Sequence, residues 1–142
     1  PAAAPSTTRS RRSISPAIAC SIGGLQHIVI FPRSSSALPA SEIRALVDWY
    51  VPLRDGRLGV EEAFVFARAT KRDDALVQIA GDRARSVARL LKTLAAADPV
   101  EVAVQINRLD TPRPHAYEEV RIEIQPKCAQ THSCCGAPST SK

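Results

Sequence analysis

The chain has 142 residues and a formal net charge of +5; 44 % of its residues are hydrophobic and only 4 % are aromatic. This length and composition fit one domain with a modest core built mainly of aliphatic side chains. No apolar run approaches the ~18 residues that a transmembrane helix needs, so we expect a soluble protein. The basic balance favours a polyanionic partner.

The first 40 residues are predicted to be an arm that precedes the folded domain. They contain no Asp or Glu, and they hold Arg9, Arg11, Arg12 and Arg33 among many Ala, Ser, Thr and Pro residues. This composition is typical of an organellar transit segment, and it is equally typical of a disordered basic arm. Both interpretations stay open.

Three segments that follow are predicted from local patterns. Residues 25–31 are short and β-branched, which indicates a strand or a buried extended segment. A helix is predicted to begin at Ser41, the N-cap, with Glu42 in its first turn, and to stop at Pro52. Residues 59–70 are predicted to form a second helix. The apolar face of this second helix would carry Val60, Phe64 and Ala67.

The clearest helical pattern begins at residue 73, where Asp73 or Asp74 is predicted to cap a third helix. Asp98 and Pro99 are predicted to terminate it. Its apolar residues recur at spacings of four and three, which is the period of a helix that packs on one side. They are Ala80, Ala84, Val87, Leu91 and Leu94.

After Pro99 the hydrophobic period changes to two, which is typical of half-buried strands. Residues 100–107 and 120–125 are predicted to form two strands of a hairpin, joined by a proline-rich link. The sequence therefore predicts an α+β, two-layer domain over residues 41–127, with two to three helices on a small, mainly antiparallel sheet. Flexible tails are predicted at both ends, the second covering residues 128–142.

Basic residues on the third helix are the first binding candidates. Arg85, Arg89 and Lys92 recur at i, i+4 and i+7 opposite the apolar stripe, where they contact either phosphates or only solvent. Arg83 lies near the apolar stripe, so it either covers the edge of the core or faces a partner.

The four cysteines are Cys20, Cys128, Cys134 and Cys135. Three of them crowd the C-terminal tail, which favours a reducing compartment over a secreted disulfide scaffold. With His132 the tail offers ligands that suit zinc, but the spacing lacks a paired knuckle, so a tail with free thiols is the alternative. No catalytic motif is present, and we expect no enzymatic activity and no cofactor.

The predicted helix and hairpin together resemble the N-terminal part of the ribosomal L-one family, the large-subunit stalk protein. The resemblance covers residues 50–127. The positions that carry it are Tyr50, Glu61, Glu62, Ala63, Asp98, residues 100–104, Asp110, Arg113 and residues 120–126. It implies a non-catalytic structural component of the large ribosomal subunit.

Combined with the acid-free N-terminus, the resemblance implies a mitochondrial matrix protein with rRNA and ribosomal proteins as partners, and with no membrane or small-molecule partner. Basic residues would position it on phosphates. These RNA-binding candidates are Arg83, Arg85, Arg89, Lys92, Arg108, Arg113, Arg121 and Lys127, with Arg9, Arg11 and Arg12 if the N-terminus is retained. The alternatives are a protein–protein assembly subunit, such as a viral coat or nucleocapsid protein or an accessory subunit of an organellar complex, and a small enzyme or metal-binding regulator.

Overall fold

The computed structural model describes residues 24–70, 73–95, 98–109 and 118–128. The four strands form one sheet in the order β1-β4-β2-β3, in which β4 is antiparallel to β1 and β2 while β2 and β3 are parallel. Two helices pack on this mixed sheet, which confirms the predicted α+β class. In chain order the elements are β1 (Gln26–Ile30), α1 (Ala40–Asp55), β2 (Glu62–Thr70), α2 (Asp74–Ala95), β3 (Glu101–Leu109) and β4 (Glu119–Gln125).

The helix predicted over residues 59–70 is wrong, because most of that segment is strand β2. Phe64 and Phe66 lie on the opposite side of the strand from the core, with ring centroids 6.4 Å apart. The apolar residues of this segment satisfy both a helical and an alternating pattern, and pairing with strands on both sides selects the extended form. The core residues alternate along the strand: Ala63, Val65, Ala67 and Ala69.

The hairpin predicted over residues 99–127 is also wrong. Both segments are strands, as predicted, but they do not pair with each other. β3 pairs with one side of β2, placing Glu101 opposite Glu62, and β4 pairs with the other side, placing Gln125 opposite Glu62. An alternating pattern indicates which face of a strand is buried, but it does not identify the neighbouring strand.

Helix α1 begins and ends differently from the prediction. Its N-cap residue is Pro39 rather than Ser41, and that position has no side-chain capping bond. Glu42 does lie in the first turn, where its Oε1 accepts a hydrogen bond from the Ile30 amide at 3.0 Å. The helix also continues past Pro52 to Asp55, despite the ~3 kcal/mol that an internal proline costs. The packing of Tyr50 and Leu46 in the core offsets that cost.

Helix α2 confirms the clearest prediction. Asp73 caps it, because its Oδ1 accepts the Leu76 amide hydrogen bond at 3.0 Å. The helix packs against β2 and β3, where small residues on both surfaces allow close approach. The predicted stripe is buried at Ala80, Ala84, Val87 and Leu91, and Leu94 packs against its edge.

Strand β1 confirms that residues 25–31 are extended. Although it lies within the segment predicted to be an arm, it forms one edge of the sheet. Helix α1 holds it in place: Trp49 donates from Nε1 to the Gly24 carbonyl at 2.7 Å, and its ring stacks on His27 at 5.0 Å. Among the described residues, neither helix combines the length and apolarity needed to cross a bilayer.

Candidate functional site

The carboxyl ends of three strands meet at one end of the sheet. β1 and β2 are both antiparallel to β4, and β3 is parallel to β2, so all three end on the same side. In open α/β sheets, ligands bind in the loops outside the carboxyl ends of the parallel strands, and three of the four strands here share one direction. The connection between β1 and α1, residues 31–39, lies at this end of the sheet and is called the β1–α1 loop below.

The β1–α1 loop begins with a tight turn. The Ser35 amide donates to the Pro32 carbonyl at 3.2 Å, which closes a four-residue turn. Ser34 occupies its third position with φ +63°, a conformation that glycine or asparagine normally adopts there. The Ser35 hydroxyl then accepts the Ala37 amide at 3.1 Å. A residue held in this region is strained by about 1 kcal/mol, and such strain clusters at binding sites.

Arg83 of helix α2 fixes this turn from the inside. Its Nε donates to the Ser35 carbonyl at 2.6 Å and its Nη2 to the Pro32 carbonyl at 2.8 Å, while the guanidinium lies 5.4 Å from the centroid of the Phe31 ring. The residue is only 2 % exposed. Burial lowers the pKa of Arg83, and Glu118 partly offsets this effect. A buried cation therefore stabilises one conformation of the loop.

Arg33 is presented on the outside of the same turn. Its side chain is 82 % exposed, and its Nε lies 3.3 Å from Oε2 of Glu118, which immediately precedes β4. Because Arg33 is solvated while the Glu118 side chain is 23 % exposed, the pair contributes little to stability, about 0–1 kcal/mol. The pair nevertheless demonstrates that a carboxylate can approach the Arg33 guanidinium at this position.

The opposite end of the sheet, where β2 and β3 begin, is acidic. A shallow depression of about 410 Å³ lies there, at the amino ends of β2 and β3. Burial raises the pKa of Glu62, and the neighbouring charges of Glu101 and Glu61 add to the effect. The two ends of the sheet thus differ in charge, and an anionic ligand would be repelled from the acidic end.

The structure disperses the cations that the sequence singled out for binding. Arg85 and Arg89 are exposed on α2, where Arg85 pairs with Asp82 at 2.6 Å. Arg121 lies on the other face of the sheet, over the Phe66 ring at 6.0 Å. These residues therefore lie on opposite sides of the molecule and do not form one surface.

The remaining candidates lie elsewhere again. Lys92 is exposed near the end of α2, and Arg108 is exposed near the end of β3. Lys127 forms an ion pair with Asp98, which raises the pKa of the lysine. The candidates Arg9, Arg11, Arg12 and Arg113 lie outside the described residues.

The cysteine tail differs from the expectation at its first member. Cys128 is disulfide-bonded, whereas free thiols in a reducing compartment had been expected. Disulfides persist mainly in oxidising compartments. The described residues contain no cluster of three or more potential metal ligands. His132, Cys134 and Cys135, the other residues of the predicted zinc alternative, lie outside the described part of the chain.

Sequence reasoning missed the β1–α1 loop as a site. It used Pro32 and the following serines only to mark the end of a strand. The signal that was available was the position of Arg83 beside an apolar stripe, which left open whether it covers the edge of the core or faces a partner; the structure buries it. Its partners are about 50 residues away in the chain, so no local pattern identifies them.

These features define the chain as an α+β domain with a mixed four-stranded sheet. A loop anchored by an arginine lies at the end of the sheet where three strands terminate. No family model and no curated protein sequence matches the chain. Among solved structures it is similar to the OmpA-like domain of FopA1 from Francisella tularensis subsp. tularensis SCHU S4, with a TM-score of 0.47 and 14 % identity, over 75 % of this chain and 80 % of that one. It is also similar to an outer membrane protein from Borrelia burgdorferi B31, with a TM-score of 0.44 and 11 % identity, over 70 % of this chain and 85 % of that one.

The expected relation to the ribosomal L-one family is therefore wrong. Its helix is strand β2 and its hairpin is two strands separated by β2, so the motifs that carried it do not exist in the fold. The similar structures are an OmpA-like domain and a bacterial outer membrane protein. The mitochondrial location, the rRNA and ribosomal partners and the ribosomal function are corrected with it, and nothing supports the coat-protein or organellar-subunit alternative.

Proposed function

We propose that this chain is a non-catalytic binding domain that recognises a carboxylate-bearing ligand through the β1–α1 loop. The observation that carries the proposal is the buried Arg83, which donates two hydrogen bonds to carbonyl groups of the loop. A loop whose conformation is fixed in advance loses less conformational entropy when it binds.

The choice of a carboxylate follows from Arg33. Its guanidinium is exposed and already lies beside the Glu118 carboxylate. A guanidinium presents several donors in a plane and matches the two oxygens of a carboxylate. Because the Arg33 side of this pair is well solvated, exchange of the Glu118 carboxylate for one of a ligand costs little.

Location supports the same proposal. The site lies outside the carboxyl ends of three strands, and the acidic depression lies at the opposite end of the sheet. The disulfide at Cys128 favours an oxidising compartment. Because the two similar structures come from bacterial outer membrane proteins or domains, purified peptidoglycan, whose stem peptides carry free carboxylates, is the first probe.

The test is co-sedimentation of the full chain with insoluble peptidoglycan. The wild-type chain is expected in the pellet, and Arg33→Gln is expected to remain in the supernatant. Arg57→Gln is the matched control, because Arg57 is also exposed but follows α1 at the opposite end of the sheet. Peptidoglycan with amidated carboxyl groups is expected to retain none of the three proteins.

Three results would overturn the proposal. They are no retention of the wild-type chain, equal retention of Arg33→Gln and wild type, and equal retention on the native and the amidated polymer. Thermal melts of both variants check that they are folded, so that a loss of retention reports on the loop.

A further inference from the structure

The two edge strands of the sheet differ in how their outer sides are covered. β1 and β3 are the edges. β1 has five residues, and the outward-pointing amide of Ile30 is bonded to the Glu42 side chain at 3.0 Å. β3 has nine residues, all paired with β2 on one side, and no described segment pairs with its other side. An open edge of this length presents a row of unpaired donors and acceptors to another chain.

The side chains of β3 do not protect this edge. Natural proteins protect edges with proline, lysine or inward-pointing charges, and the central part of β3 has none of these. Val102, Val104 and Ile106 lie on the helix side, because their partners in β2 are core residues. Val104 is nevertheless 41 % exposed, which is high for a valine on the core side of a sheet. An apolar row at the edge is therefore only partly covered by α2.

We propose that two copies of this chain dimerise by antiparallel pairing of their β3 strands about a two-fold axis at Val104. In this register Val104 faces Val104 of the partner subunit, and Val102 faces Ile106 of the partner subunit. The two sheets become one eight-stranded sheet with all helices on the same face. The three core-side residues of each copy then complete a continuous apolar row, and burying such a row is the main favourable term in association.

The charges along β3 favour this orientation. The amino end of the strand is acidic, with Glu101 beside Glu62, and the carboxyl end carries Arg108. Antiparallel pairing brings the acidic end of one strand to the basic end of the other, whereas parallel pairing would align like charges. On the outer face, Glu101 lies opposite Asn107 of the partner subunit, so no like charges face each other directly.

The test is sedimentation equilibrium of the full chain over a range of concentrations. Wild type is expected to be a dimer, and Val104→Lys is expected to weaken dimerisation by at least about a hundredfold, because it brings two ammonium groups together and removes two buried valines. Ile28→Lys is the matched control: Ile28 is 47 % exposed on the other edge strand, and its substitution is expected to leave the dimer intact.

Hydrogen exchange keeps the proposal testable if Val104→Lys fails to fold. The outward-facing amides of β3 are expected to become protected in wild type as its concentration rises. A wild type that is monomeric at all concentrations, a Val104→Lys dimer, or β3 protection that does not depend on concentration would overturn the proposal. The Arg33→Gln variant is expected to dimerise normally, so failure of the dimer and failure of the proposed ligand site are distinguishable.

Discussion

Replacing Arg83 with methionine is expected to lower the free energy of unfolding by about 2–4 kcal/mol. Methionine replaces the aliphatic stem of arginine with an unbranched apolar side chain, so the change removes mainly the charged head group. Each hydrogen bond to a charged group is worth about 1.5–3 kcal/mol, which gives about 3–6 kcal/mol for the bonds to Ser35 and Pro32.

Two effects reduce this sum. The Pro32 carbonyl keeps the hydrogen bond from the Ser35 amide, and so it is not left without a donor. Removing Arg83 also removes the part of the cost of burying its charge that those bonds do not compensate, which lowers the expected loss to about 2–4 kcal/mol. The net loss of about 2–4 kcal/mol is still larger than the effect of a typical surface substitution.

Urea denaturation of matched variants measures this loss. Arg89→Met is the control, since Arg89 is exposed on the same helix and its described hydrogen bond is a long one of 3.4 Å to Ser86. It is expected to change stability by less than about 0.5 kcal/mol. Arg83→Lys should fall between wild type and Arg83→Met, because an ammonium keeps the charge but not the planar fork.

The refuting result is an Arg83→Met variant as stable as Arg89→Met. A second readout separates anchoring of the loop from general packing. The Ala37 amide, which bonds to Ser35, should exchange faster in Arg83→Met even under conditions where the core amides remain protected. Unchanged exchange at Ala37 would show that Arg83 does not hold the loop.

Burial lowers the pKa of His27, and Glu42 partly opposes this effect, so the unfolded chain binds the proton more tightly than the folded one. Stability should therefore fall as the pH drops below 6.5. His27→Phe should flatten this pH dependence in urea melts, and an unchanged dependence would contradict the prediction. Ser34→Gly should cost under about 0.5 kcal/mol, whereas Ser34→Val should cost about 1–2 kcal/mol, since a β-branched residue resists positive φ. Equal melts for those two variants would contradict this. Leu91→Ala should cost about 2–5 kcal/mol and Leu90→Ala clearly less in the same assay, because only Leu91 is fully buried; equal losses would refute the packing.

Much of the local structure could be predicted because local rules decide it. Helix α2 was predictable from its cap at Asp73 and its apolar stripe, which depend on residues three or four apart. Strand β2 was not, because its apolar residues suit either pattern. Its extended form depends on hydrogen bonds to β3 and β4, which come from segments that follow it in the chain.

The candidate site was less predictable than the fold. The position of Arg83 on the helix allowed either the edge of the core or a partner, and its partners Pro32 and Ser35 are distant in sequence. The prediction that it and the other basic residues contact rRNA rested on a family resemblance whose helix and hairpin do not form. An alternating pattern such as that of residues 100–106 is common to many sheets, and it does not identify a family.

The sequence by itself determined the α+β class, helix α2 and the alternation of β3 and β4, because these follow from the period of apolar residues and from capping. Only the tertiary structure decided that β2 separates β3 from β4 and that Arg83 anchors the β1–α1 loop. It also decided that Glu42 bonds an outward amide of β1, whereas no segment among the described residues pairs with the outer side of β3. The physical reason is that strand neighbours and buried hydrogen-bond partners are chosen by the packing of the whole chain, and local residue patterns do not encode that choice.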